Sequence, residues 1–171
     1  MKITPALTLA TLCALLTAGC RTTRIGTITP IPIPAALTAR DAQAAIVQTT
    51  MAEPPAIAEG SNWEKIVDSV MSARLMGYRS QFGKKSSLWF VEDIEPSTVI
   101  LGYQRGEYYL RVRMNISSGQ IRPTIDGSKN LDQHGAKIHE NALVWVDTLC
   151  VDIRATLGKY VLMKESLVPA P

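Results

Sequence analysis

Histidine, cysteine and phenylalanine are scarce in this chain. Its 171 residues hold two histidines, three cysteines and two phenylalanines. That scarcity narrows the chemistry. There is no G-x-S-x-G elbow to present a nucleophilic serine. His139 and Cys150 are the one Cys–His pair near in sequence. On a common helix they stand roughly 16 Å apart along the axis, too far to hydrogen-bond. Asp132, His134 and His139 come nearest to a metal set, but their spacing fits no closed zinc pattern. G-x-G-x-x-G and P-loop motifs are missing too. We therefore expect no metal and no cofactor. Charge of one sign is also lacking. A formal net charge of +3 is too mild to imply nucleic acid. No apolar run reaches the ~18 residues of a membrane span.

One short apolar run is present. Lys2 supplies a positive charge, and residues 7–19 carry none. About 14 apolar residues at ~1.5 Å each reach roughly 21 Å, short of a ~30 Å hydrocarbon core. This is the pattern of a cleaved secretory signal, ended by small residues. The boundary Thr17-Ala18-Gly19-Cys20 resembles the bacterial lipobox. That resemblance implies lipid (diacylglycerol, and palmitate or a similar acyl chain) on Cys20. No Asp follows Cys20, which by the Gram-negative sorting rule implies the outer membrane, facing the periplasm. With Cys13 lost and Cys20 lipidated, Cys150 has no partner for an internal disulfide.

The rest divides by composition. Residues 20–37 form a Pro-rich tether, with Pro30, Pro32 and Pro34 favouring extended polyproline geometry. A single domain is expected over 38–158 and a loose tail over 159–171. Thr38-Ala-Arg-Asp41 reads as a capping box opening a helix over 39–51, and Ser61-Asn-Trp-Glu64 as another opening 63–76. Strands are expected at 88–94, 98–104, 107–116 and 120–126. In the third, Tyr108, Leu110, Val112, Met114 and Ile116 alternate with Tyr109, Arg111, Arg113 and Asn115. Pro123 marks the fourth as an edge strand. A helix over 136–157 carries a stripe of Ile138, Ala142, Trp145, Leu149 and Ile153, flanked by Val146 and Leu157, with Gly158 as C-cap. The fold class is α+β. A three- to four-stranded antiparallel meander packs against this long C-terminal helix and one or two N-terminal helices.

Ser128-Lys-Asn-Leu131, Lys137-Ile-His139, Asn141, Trp145-Val146 and Leu149 carry a family resemblance. Together they resemble a family of small proteobacterial lipoproteins without an assigned activity. The similarity covers roughly 38–157 and is looser over the strands. It implies a helix, an antiparallel meander and a closing helix, attached to a membrane by lipid.

Two groups of residues are candidate sites. Ser128, Asn130 and His139 are expected to gather at the junction of the last strand and last helix. They would bind a small polar ligand, or simply satisfy loop backbone. Tyr109, Arg111, Arg113 and Arg122 share the outward side of two neighbouring strands. They would face an anionic envelope polymer or a periplasmic protein, or simply solvate an open sheet. The expected function is a lipid-anchored binding or scaffolding module. The alternative is a small periplasmic enzyme or metal or ligand binder using Ser128, Asn130 and His139. Cys150 or the Pro123 edge would serve a homodimer.

Overall fold

The structure, a computed structural model, describes residues 28–51, 61–81, 88–105, 108–129 and 136–167. The chain runs β1 (Ile31–Pro32), α1 (Ala39–Thr49), α2 (Trp63–Gln81), β2 (Leu88–Glu95), β3 (Thr98–Arg105), β4 (Tyr108–Ser117), β5 (Gln120–Lys129) and α3 (Ala136–Ser166). The fold is α+β, as expected. Its antiparallel sheet has five strands in the order β1-β5-β4-β3-β2. The four strands read from the sequence are β2 to β5; the fifth is β1.

The alternation of β4 is borne out. Leu110, Val112, Met114 and Ile116 are buried on one face, opposite Tyr103, Leu101, Val99 and Ile121 of the adjoining strands. Ser118 and Gly119 both have positive φ (51° and 71°) in the two-residue turn from β4 to β5. That geometry matches the twist of the strands it joins.

Helix starts follow local chemistry. Thr38 and Asp41 form the expected capping box: the Asp41 N–H donates to Thr38 Oγ1, and the Thr38 N–H to Asp41 Oδ2. At α2 the cap is Asn62 rather than Ser61. Its Oδ1 accepts from the Lys65 N–H at 2.9 Å, because the carboxamide sits one residue nearer the first turn.

Three expectations are corrected by packing. First, residues 28–37 are not a free tether. Ile31 is fully buried and pairs with Ile121, Leu37 is buried, and the Ile33 N–H donates to the Gly119 carbonyl. The alternating Ile-Pro geometry suits a sheet edge as well as a spacer. Second, β5 is not the edge strand, because β1 lies outside it. That cover reaches only Gln120 and Ile121, so Pro123, opposite Met114, lies beyond it and its missing N–H is tolerated. Third, Gly158 does not cap the last helix. α3 continues to Ser166, with Tyr160 buried and Lys164 hydrogen-bonded. Among the described helices, α1 lies on the sheet centre. It packs on β3 and β4 and against both other helices. Residues 41–47 are consequently buried on every side of the helix, which a run with Ala42, Ala44 and Ala45 permits by its small girth. α3 reaches the sheet through Trp145, whose ring stacks on Tyr103 at 4.8 Å.

Candidate functional site

Two polar clusters stand out, one buried and one on the sheet's outer face. The buried one centres on Asp41. Its Oδ1 accepts from Trp63 Nε1 at 2.9 Å, and its Oδ2 from the Thr38 N–H at 2.8 Å and Lys164 Nζ at 3.1 Å. Lys164 also donates to the Ala36 carbonyl at 2.8 Å. Burial works against the Asp41 charge. The hydrogen bonds from Thr38, Trp63 and Lys164, with the Lys164 charge, outweigh it and hold the carboxyl below its ordinary value. Tyr160 packs edge-on to Trp63 at 5.0 Å and donates to Gln48 Oε1 at 2.6 Å. Burial first, and the Asp41 charge second, push its hydroxyl above the usual tyrosine range. The acceptor and donor groups of Asp41 and Lys164 are thus engaged within the protein. The cluster ties α1, α2 and α3 to the N-terminal segment.

The outer face is built by β-bulges. The register between β2 and β3 shifts at Val91/Asp93, leaving Glu92 as the extra residue. The register between β4 and β5 shifts at Arg111/Val112, leaving Asp126 extra. Bulges re-aim side chains, and both of these carboxylates reach the same arginine. Arg111 Nε lies 2.9 Å from Glu92 Oε2, and its Nη1 lies 3.7 Å from Asp126 Oδ2. The first contact is a charge pair set off the N–H axis, so it is not also a hydrogen bond. Tyr109 donates its hydroxyl to Glu92. Arg113 faces Asp126 at 3.2 Å and Glu95 at 3.6 Å. Ile100, on the same outward side of β3 between these charges, is almost fully buried. Below Arg111, Gly102 leaves room for the Phe90 ring. A Cβ there would fall 2.6 Å from Phe90 Cε2 and 2.8 Å from Glu92 Oε1.

The four residues predicted for this face do share it. Tyr109, Arg111 and Arg113 run along β4. Arg122 on β5 stands opposite Asn115, one step past Arg113. The charge of Arg111 and Arg113 is answered locally by Glu92, Glu95 and Asp126. With Asp93 on the same side, four described carboxylates stand against the three arginines, so the described side chains of this face carry no net positive charge. Alternation alone missed Glu92 and Asp126, because a bulge changes the register without a sequence signature.

The junction group is only partly described. Ser128 stands in β5 opposite Leu110, and His139 lies in the first turn of α3. Asn130, like Cys20, Asp132 and His134, lies outside the described residues. Among the described residues no three His, Cys, Asp or Glu side chains are grouped to hold a metal ion, and no helix is long and apolar enough to cross a membrane. Cys150 is the free thiol described, 1% exposed, with burial pushing it up to about 11. It is a core residue and does not support a disulfide-linked dimer. No family model, no curated protein and no solved structure matches the chain.

Proposed function

We propose that the chain is a lipid-anchored protein of the bacterial envelope, held at the outer membrane through Cys20 and facing the periplasm. The observation that carries this reading is the sequence Thr17-Ala18-Gly19-Cys20 after an uncharged apolar run too short to span a bilayer. The packed fold begins by Ile28. Only seven residues, 21–27, then separate the lipidated Cys20 from the domain. At ~3.5 Å per residue their greatest reach is about 25 Å, so the domain stays close to the bilayer.

The domain acts as a binding module through the outer face of its sheet. Arg111 and Arg113 are already paired, so a polyanion would have to displace Glu92, Glu95 and Asp126 to reach them. The face better suits a protein surface of mixed charge, which can exchange partners with both signs.

Metabolic labelling with palmitate tests the anchor. The wild-type protein takes up label and fractionates with membranes. Cys20→Ala loses both properties. An unlabelled wild type in a host that acylates its other lipoproteins would reject the reading.

A further inference from the structure

α3 is apolar on two opposite sides. One stripe, Ala142, Val146, Leu149, Ile153, Leu157 and Tyr160, is buried in the core. The other faces outward. Val144, Val151 and Leu162 are 59%, 58% and 69% exposed, the largest exposures among the described large hydrophobics. Thr148, Ala155 and Gly158 fill the positions between them and are exposed as well. The outward set recurs every three or four residues over 144–162, about 27 Å of helix at ~1.5 Å per residue. That is the spacing of a seam between paired helices. A helix buried on one side needs no second apolar stripe.

The charges flanking the seam identify what covers it. Asp147 and Arg154 line one side, and Asp152 and Lys159 the other; all four are exposed. A parallel pair of these helices would set Asp147 against Asp152 and Arg154 against Lys159, each twice by symmetry. An antiparallel pair with its two-fold axis at Ala155 sets Asp152 against Lys159 twice. Its one like-charged contact is Arg154 with its own symmetry mate. The seam is therefore self-complementary in one arrangement and self-repelling in the other. Small residues at its centre, Ala155 and Gly158, let two backbones approach closely. Leu162 of one copy would then cover Thr148 of the other.

We propose that the protein pairs with a second copy of itself through the outward stripe of α3, antiparallel about Ala155. The pairing stands independently of the lipid anchor. One helix pair buries less than the ~1,600 Å² of a standard stable complex, so the dimer is weak and concentration-dependent.

Cysteine cross-linking of the full chain tests it, with copper-phenanthroline as oxidant and the unsubstituted chain as baseline. Ala155→Cys is expected to give a disulfide dimer several-fold above that baseline. Thr148→Cys alone and Leu162→Cys alone are expected near baseline, while their co-expression restores the dimer. Adding Leu162→Glu to Ala155→Cys is expected to abolish the cross-link with the melting temperature unchanged, because Leu162 is exposed. Two results would overturn the proposal. One is baseline cross-linking at 155. The other is equal cross-linking at 148, 155 and 162 taken singly, which would mean parallel or random contact.

Discussion

Asp41 shows how one residue can organise chain segments far apart in sequence. It is 4% exposed and contacts Thr38, Trp63 and Lys164, the last of these 123 positions away. Removing its charge leaves Lys164 partly buried without its counter-ion. Asp41→Asn should therefore cost about 1–3 kcal/mol at pH 7 in urea unfolding. Its carboxyl is held below the ordinary value in the folded state. The stabilisation is thus fully present above the unfolded value of ~3.9 and is lost as pH falls through the lower folded value. Asp41→Asn should flatten that acid limb; an unchanged limb would mean that other carboxylates set it. Cys150 has the opposite sign. Its folded value, about 11, lies above 9.0. Stability from the buried neutral thiol is present below the unfolded value and is lost as pH rises toward 11. At pH 8 Ellman's reagent should distinguish the wild type from Cys150→Ala only after denaturant is added.

At the scale of elements, two glycines have opposite roles. Gly158 lies inside α3, exposed, and a Cβ there would meet nothing within 4 Å. Gly158→Ala should raise stability by about 0.5–1 kcal/mol in dilute solution, because glycine is a poor helix former. A helix that ended here on a left-handed glycine would instead lose stability. Gly102 lies in β3 under the Phe90 ring, which sits where a side chain would go. Gly102→Ala has to displace that ring and should cost about 1–3 kcal/mol, measured by thermal melting. These two cases also show what the sequence could reveal. Thr38 with Asp41 marked the start of α1 correctly, because a capping box is made within four residues. Gly158 misled, because its C-cap signal is local while the continuation of α3 rests on Tyr160 and Lys164 meeting Gln48 and Asp41 on another helix. The alternation of β4 placed Tyr109, Arg111 and Arg113 on one face, since strand period is intrinsic. The two bulges that bring Glu92 and Asp126 to Arg111 depend on cross-strand register, and no short stretch of sequence encodes that. The all-round burial of α1 was hidden for the same reason: it follows from which elements pack there.

At the scale of the whole molecule, the question is where the folded unit begins. A proline spacer and a docked strand have the same sequence signature, since both keep the backbone extended. Docking is decided by what lies alongside. Here Ile31 enters the core beside Ile121, Ile28 and Ile33 pack against that core, and the Ala36 carbonyl accepts from Lys164 near the other end of the chain. The segment thus joins the sheet edge to the end of α3. Burying a residue such as Ile31 is worth about 2–5 kcal/mol by comparison with large-to-alanine changes in cores. A domain of this size has about 5–15 kcal/mol in all. Ile31→Ala should therefore lower stability by about 2–5 kcal/mol. A chain begun at Leu37 should lose more, because it also gives up the pairing of β1 with β5 and the Ile33 bond to Gly119. Urea unfolding of the chain begun at Ile28 and the chain begun at Leu37 makes the comparison directly. A free spacer would leave the two midpoints equal. A docked segment moves the shorter chain's midpoint down, and Ile31→Ala in the longer chain should reproduce part of the shift. Because 28–37 packs into the fold, a flexible Gly-Ser stretch inserted between Ile33 and Leu37 should likewise lower the urea midpoint.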